Sequence, residues 1–176
     1  METKKKYLAQ KDKFSCGVYA IANVLIHLGV PLTEEDIPEM REFCNCKEPL
    51  GMMPWDMSHV LIQLATRTKL FELEAFLEGE DANHFVMKEL TLSGRLIILN
   101  YYSYTNWENK IRSHYVAILY DEDRWRLPNQ YNGIADIACG GLFSFESTMT
   151  SFFSKEKVGL HPLPQAWVLK PKAHPT

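Results

Sequence analysis

One α+β domain is expected for this chain, on three observations. A long, nearly unbroken apolar run near the N-terminus has helical spacing, short alternating segments fill the second half, and no repeat, low-complexity tract or Gly/Pro/Ser-rich linker separates them. With 176 residues and 46% hydrophobic content, a single domain over residues 1–176 has material for a sizeable core. The expected arrangement is N-terminal helices packed against a C-terminal antiparallel sheet.

The first helix is expected over residues 16–28, where Val18, Ile21, Ala22, Leu25 and Leu28 form a stripe and Gly29 supplies the stop. Ala20, Val24 and Ile26 make its other faces apolar, so it should be buried on most sides. Thr33, followed by Glu34, Glu35 and Asp36, has the form of a helix start with acidic residues in its first turn, leading toward Phe43. Pro54-Trp-Asp56 opens a third helix through Val60, Leu61 and Leu64. Residues 70–76 alternate as a strand does, residues 81–90 read as a helix, and residues 95–101 as a buried strand. A polar-aromatic loop holding Tyr102, Tyr104 and Trp107 comes next. Residues 115–120 form a strand, Asp121-Glu-Asp123 a turn, and residues 124–127 the returning strand. A helix over residues 144–153 and a closing strand over residues 166–169 complete the reading.

Composition excludes several classes. A net charge of -3 gives no electrostatic reason to expect nucleic acid or an anionic membrane as partner. Lys4, Lys5 and Lys6 form a short basic run with no apolar stretch behind it, so it reads as a solvated terminus and not as a secretory signal. No apolar run approaches the roughly 20 residues that span a bilayer. The four cysteines, Cys16, Cys44, Cys46 and Cys139, are too few and too irregular for a disulfide scaffold, which fits a reducing, cytoplasmic location. Cys44 and Cys46 read as structural thiols, and Cys139-Gly-Gly as a flexible loop. Without metal-ligand spacing or a phosphate-binding loop, neither metal nor cofactor is expected.

The chemistry concentrates at Cys16. A thiol at a helix N-terminus feels the positive end of the macrodipole, which favours thiolate. Gln10, six positions earlier, carries an amide that would donate to an oxyanion formed above the sulfur. His114 opens a strand-like run, His-Tyr-Val-Ala-Ile-Leu-Tyr, where a sheet edge would aim it at a helix end as general base. His27 is unsuitable: eleven residues beyond Cys16 on one helix, it lies about 16 Å away. A third group must hold the imidazole, and the hairpin returns Asn129 alongside the head of the strand. Gln130 stays open for that role, as does Asp121, although the turn should keep Asp121 about 20 Å from His114. Tyr102, Tyr104 and Trp107 are candidates for a wall of a substrate cleft.

Gln10-x5-Cys16-Gly17 before an Ala-containing helix, with His114-Tyr115-Val116 downstream, resembles the papain-like cysteine peptidase superfamily. It is most similar to the branch of double-glycine leader peptidases and their stand-alone relatives. The resemblance implies Cys16 as nucleophile, Gln10 as oxyanion donor and His114 as base. Leader peptidases usually place an Asp-Pro pair after the hairpin; here the matching stretch reads Leu127-Pro128-Asn129, and papain itself uses Asn. The implied activity is hydrolysis of an amide bond in a peptide or protein. An acyl transferase or deamidase would use the same thioester chemistry, and a catalytically silent binding module would keep only the cleft.

Overall fold

The computed structural model describes residues 6–105, 110–121, 124–128 and 164–172. Helix α1 (Cys16–His27) is buried at every position from Cys16 to Ile26, as its all-round apolar sequence requires. After it, Thr33 caps a short 3-10 turn reciprocally with Asp36, and the chain enters α2 (Ile37–Phe43). Helix α3 (Pro54–Thr68) starts on proline and ends at Lys69, which adopts the left-handed conformation at φ 58°.

Strand β1 (Phe71–Glu78) leads to α4 (His84–Leu92), then β2 (Leu96–Thr105), β3 (Lys110–Asp121), β4 (Arg124–Arg126) and β5 (Gln165–Pro171). The five strands form one antiparallel sheet in the order β1-β5-β2-β3-β4. The last strand therefore inserts between β1 and β2, where residues 166–169 are fully covered. The α+β class expected from sequence is what the chain adopts.

Two corrections concern layers and hairpins. Helices do not all pack on one side of the sheet. Leu96, Ile98, Tyr115, Ala117, Leu119 and Trp167 face α1 and α3, whereas Ile97, Leu99, Val116 and Ile118 face Met87 and Leu90 of α4. Central strands that are apolar on both pleat faces need cover on both, and α4 supplies the second layer. The expected loop after Tyr101 is also shorter than its composition suggests. Tyr102 pairs with Ser113 and Tyr104 with Ile111, so both lie in the β2–β3 hairpin. The helix expected over residues 144–153 and the Cys139-Gly-Gly loop lie outside the described residues.

Candidate active site

Gln10 and Cys16 stand at the ends of an irregular turn that three devices shape. Asn23, buried in α1, accepts from the Leu8 N–H at 2.8 Å and donates to the Leu8 carbonyl at 2.9 Å. The N-terminal segment is thereby tied to the helix like an added strand, and Gln10 is buried with it. Asp12 then folds the chain back. Its Oδ1 accepts from the N–H groups of Phe14 at 2.9 Å and Ser15 at 2.7 Å, while Oδ2 pairs with Arg41 of α2.

The Asp12 backbone carbonyl accepts from Gln10 Nε2 at 2.7 Å, which fixes the orientation of that amide, because a carbonyl can only accept. A primary amide carries two N–H groups, and Asp12 takes one of them. Burial pushes the Asp12 carboxyl up, but the Phe14 and Ser15 N–H groups, the Ser15 hydroxyl and the Arg41 guanidinium together hold it below its ordinary value.

The third device is the loop between α2 and α3. Lys47 and Gly51 bridge it, and Gly51 at φ +76° lies so close to the Phe14 carbonyl that a Cβ would stand 2.7 Å from its oxygen. A Cβ on Gly17 would stand 2.9 Å from Met52 Sδ. These two glycines let the loop close over the turn that carries the thiol. Cys46 donates its thiol to the Phe14 carbonyl at 3.7 Å, and Cys44 is buried; both are thiols and neither is in a disulfide. Leu50 (79% exposed) and Trp55 (66%) leave an apolar rim on this loop and the start of α3.

Ser15 does not cap α1 with its hydroxyl, which instead accepts from Arg41 Nε at 2.8 Å. The Cys16 thiol lies within hydrogen-bonding reach of the Tyr115 backbone in β3 and of the Gly17 backbone. That contact brings the helix end and the strand together one residue from His114. The His114 imidazole is half-buried and stands edge-on to Tyr101, its partner across the ladder, with ring centroids 5.6 Å apart. The N-terminus of α1 thus meets the middle of β3, but two expectations for His114 are corrected. It is the fifth residue of the strand and does not open it. The strand's alternation also puts it on the α4 face with Tyr101, Val116 and Ile118, opposite the Tyr115 face that meets α1 and Cys16.

One expectation is reversed. The helix dipole was expected to favour the thiolate, but Cys16 is 7% exposed and burial dominates. Desolvation pushes its thiol up to about 11, against the Tyr115 and Gly17 backbone groups that pull it down, and neighbouring Cys46 adds to the rise. Among the other expected site residues, Asp121 pairs with Arg124 at the far end of β3 from His114. Asn129, Gln130 and Trp107 lie outside the described residues. Sequence reading missed Asp12 and Arg41, whose contacts define the turn, and the exposed Leu50 and Trp55.

No family model matches the chain, and no curated protein matches it. What the site can do is therefore read from its own geometry.

Proposed function

We propose that this protein is a papain-like thiol hydrolase that cleaves an amide bond in a peptide or protein. The observation that carries the reading is the approach of the Cys16 thiol to the Tyr115 backbone in the middle of β3. The reading requires the imidazole of neighbouring His114, which the strand's alternation puts on the α4 face, to turn past the strand to the sulfur. In the resting state the sulfur is protonated, since burial pushes it up to about 11. His114 then takes the proton as the sulfur attacks the carbonyl, and no stored thiolate is required. The new oxyanion is held by the second N–H of the Gln10 amide and by the Cys16 backbone N–H. Protonated His114 releases the amine, and water hydrolyses the thioester.

Leu50 and Trp55 join Tyr102, Tyr104 and Trp107 as candidate apolar contacts for a bound chain, because they are exposed beside the loop that covers the thiol turn. A reducing cytosol suits a protein whose Cys16, Cys44 and Cys46 are thiols.

A second reading is favoured by one observation, the burial of Cys16: a silent descendant would keep an inert core thiol in the same place. Iodoacetamide separates the two. For a hydrolase, Cys16 is alkylated faster than Cys44 and Cys46 at neutral pH, and His114→Ala abolishes that advantage. For an inert thiol, the rate climbs about tenfold per pH unit toward pH 11 and ignores His114→Ala. Cys16→Ala is expected to abolish turnover of fluorescently labelled casein while leaving the far-ultraviolet circular dichroism unchanged. Turnover retained by that variant would remove the hydrolase reading.

A further inference from the structure

Six residues of extended chain reach about 20 Å. The spacing of Gln10 and Cys16 therefore does not by itself keep an amide beside a sulfur. We propose that Asp12 and Arg41 are the positioning residues of the site: they fold the turn over residues 10–16, brace it on α2, and so hold the Gln10 amide where an oxyanion on Cys16 would form. This rests on the reading of Cys16 as nucleophile and Gln10 as oxyanion donor.

Asp12 is bonded in both directions along the turn. Its backbone carbonyl holds Gln10 Nε2 on one side, and its carboxylate gathers the Phe14 and Ser15 N–H groups on the other. Arg41 reaches three residues of the same turn. Nη2 meets Asp12 Oδ2, Nε donates to Ser15 Oγ, and the guanidinium lies 5.0 Å from the centre of the Phe14 ring. A planar guanidinium makes all three contacts at once, whereas an ammonium on a flexible stem keeps only the ion pair. The side chains of Arg41 and Asp12 are 31% and 20% exposed, so solvent screens their charges only in part.

Two reagents for Cys16 differ in whether an oxyanion forms. Iodoacetamide alkylates sulfur by displacement at a saturated carbon, with no oxyanion. p-Nitrophenyl acetate acylates it through a tetrahedral oxyanion and releases p-nitrophenolate, leaving a thioester. Gln10→Ala is expected to slow acylation about 100-fold and to leave alkylation unchanged. Arg41→Met and Asp12→Asn should each slow acylation about tenfold, also with unchanged alkylation, because the amide is displaced and the sulfur is not. Arg41→Lys should recover part of the loss.

The double variant Gln10→Ala/Arg41→Met should acylate no more slowly than Gln10→Ala alone, since Arg41 acts through that amide. Equal loss with both reagents, losses that multiply in the double variant, or no loss at all would each overturn the proposal. Asp12→Asn keeps an oxygen for the Phe14 and Ser15 N–H groups and decides the matter if Arg41→Met does not fold. Failure of the underlying reading looks different: the unsubstituted protein would show no acylation of Cys16, before any positioning residue is changed, and the proposal would fall with it.

Discussion

At Gly51 a single hydrogen atom stands where any other residue would put a carbon 2.7 Å from the Phe14 carbonyl oxygen. Backbone oxygen cannot rotate aside, and φ is +76° as well, so Gly51→Ala meets both strain and collision. We expect it to lose about 2–3 kcal/mol in urea unfolding. Gly17→Ala is the useful contrast. Its nearest neighbour is the thioether of Met52 at 2.9 Å, a flexible side chain that can shift, and alanine gains about 1 kcal/mol of helix propensity over glycine. Gly17→Ala should therefore cost clearly less than Gly51→Ala; the reverse order would mean that the loop does not press on the Phe14 turn. Cys16 gives the other lesson at this scale. The helix end and the burial act on one sulfur with opposite sign, and burial wins because an ionised sulfur would lose its water on nearly every side.

Between elements, a polar contact inside an apolar layer ties α4 to the sheet. Trp125 of β4 donates its indole N–H to Thr91 Oγ at 2.9 Å, and that buried hydroxyl donates in turn to the Met87 carbonyl at 2.9 Å. Thr91→Val keeps the shape and removes the acceptor, so it should cost about 1–3 kcal/mol, measured by urea unfolding; Thr91→Ser, which keeps the hydroxyl, should cost less. A Thr91→Val variant as stable as the parent would show that the bond adds nothing. The helices and most strands were legible because their periodicity is local: α1 from its apolar run, β2 and β3 from theirs. The unbroken Ile97-Ile-Leu99 and Val116-Ala-Ile118 runs were legible only as strands; apolar on both pleat faces, they need a second layer that the expected arrangement did not include, and nothing local says which helix provides it. Strand order was not legible, because β5 slots between β1 and β2 through pairings that no local pattern encodes. Tyr102 to Thr105 read as loop because its residues are polar and aromatic; ladder pairing with β3 keeps it extended regardless. In the site, Gln10, Cys16 and His114 stood out through short motifs. Asp12 had a readable local sign, a carboxylate two and three residues ahead of the N–H groups it caps. Arg41 had none, since it meets Asp12 across 29 residues of chain.

For the whole molecule, the buried acidic groups set an alkaline limit on stability. Burial pushes the Cys16 thiol from 9.0 up to about 11 and the Cys44 thiol up to about 12. Burial, with the hydrogen bond and charge of Glu34, pushes the Tyr19 phenol from 10.0 up to about 12. In each case the folded value lies above the unfolded one, so the folded state holds its proton more tightly. Below about pH 9 both states are protonated and the full stability is present. As pH rises above 9 the unfolded chain ionises first, and stability drains until the folded groups themselves titrate near 11 to 12. The move from 9.0 to about 11 at Cys16 alone is worth about 3 kcal/mol, a large share of the 5–15 kcal/mol typical of a domain. The urea midpoint should therefore fall steeply between pH 8 and about pH 10.5. Removing the titrating groups should flatten that fall: Cys16→Ala/Cys44→Ala starts from a lower stability at pH 8, because two packed thiols are lost, yet its midpoint should change less with pH. A double variant that keeps the parent's slope would mean that both sulfurs are solvated in the folded protein and that burial does not hold their protons.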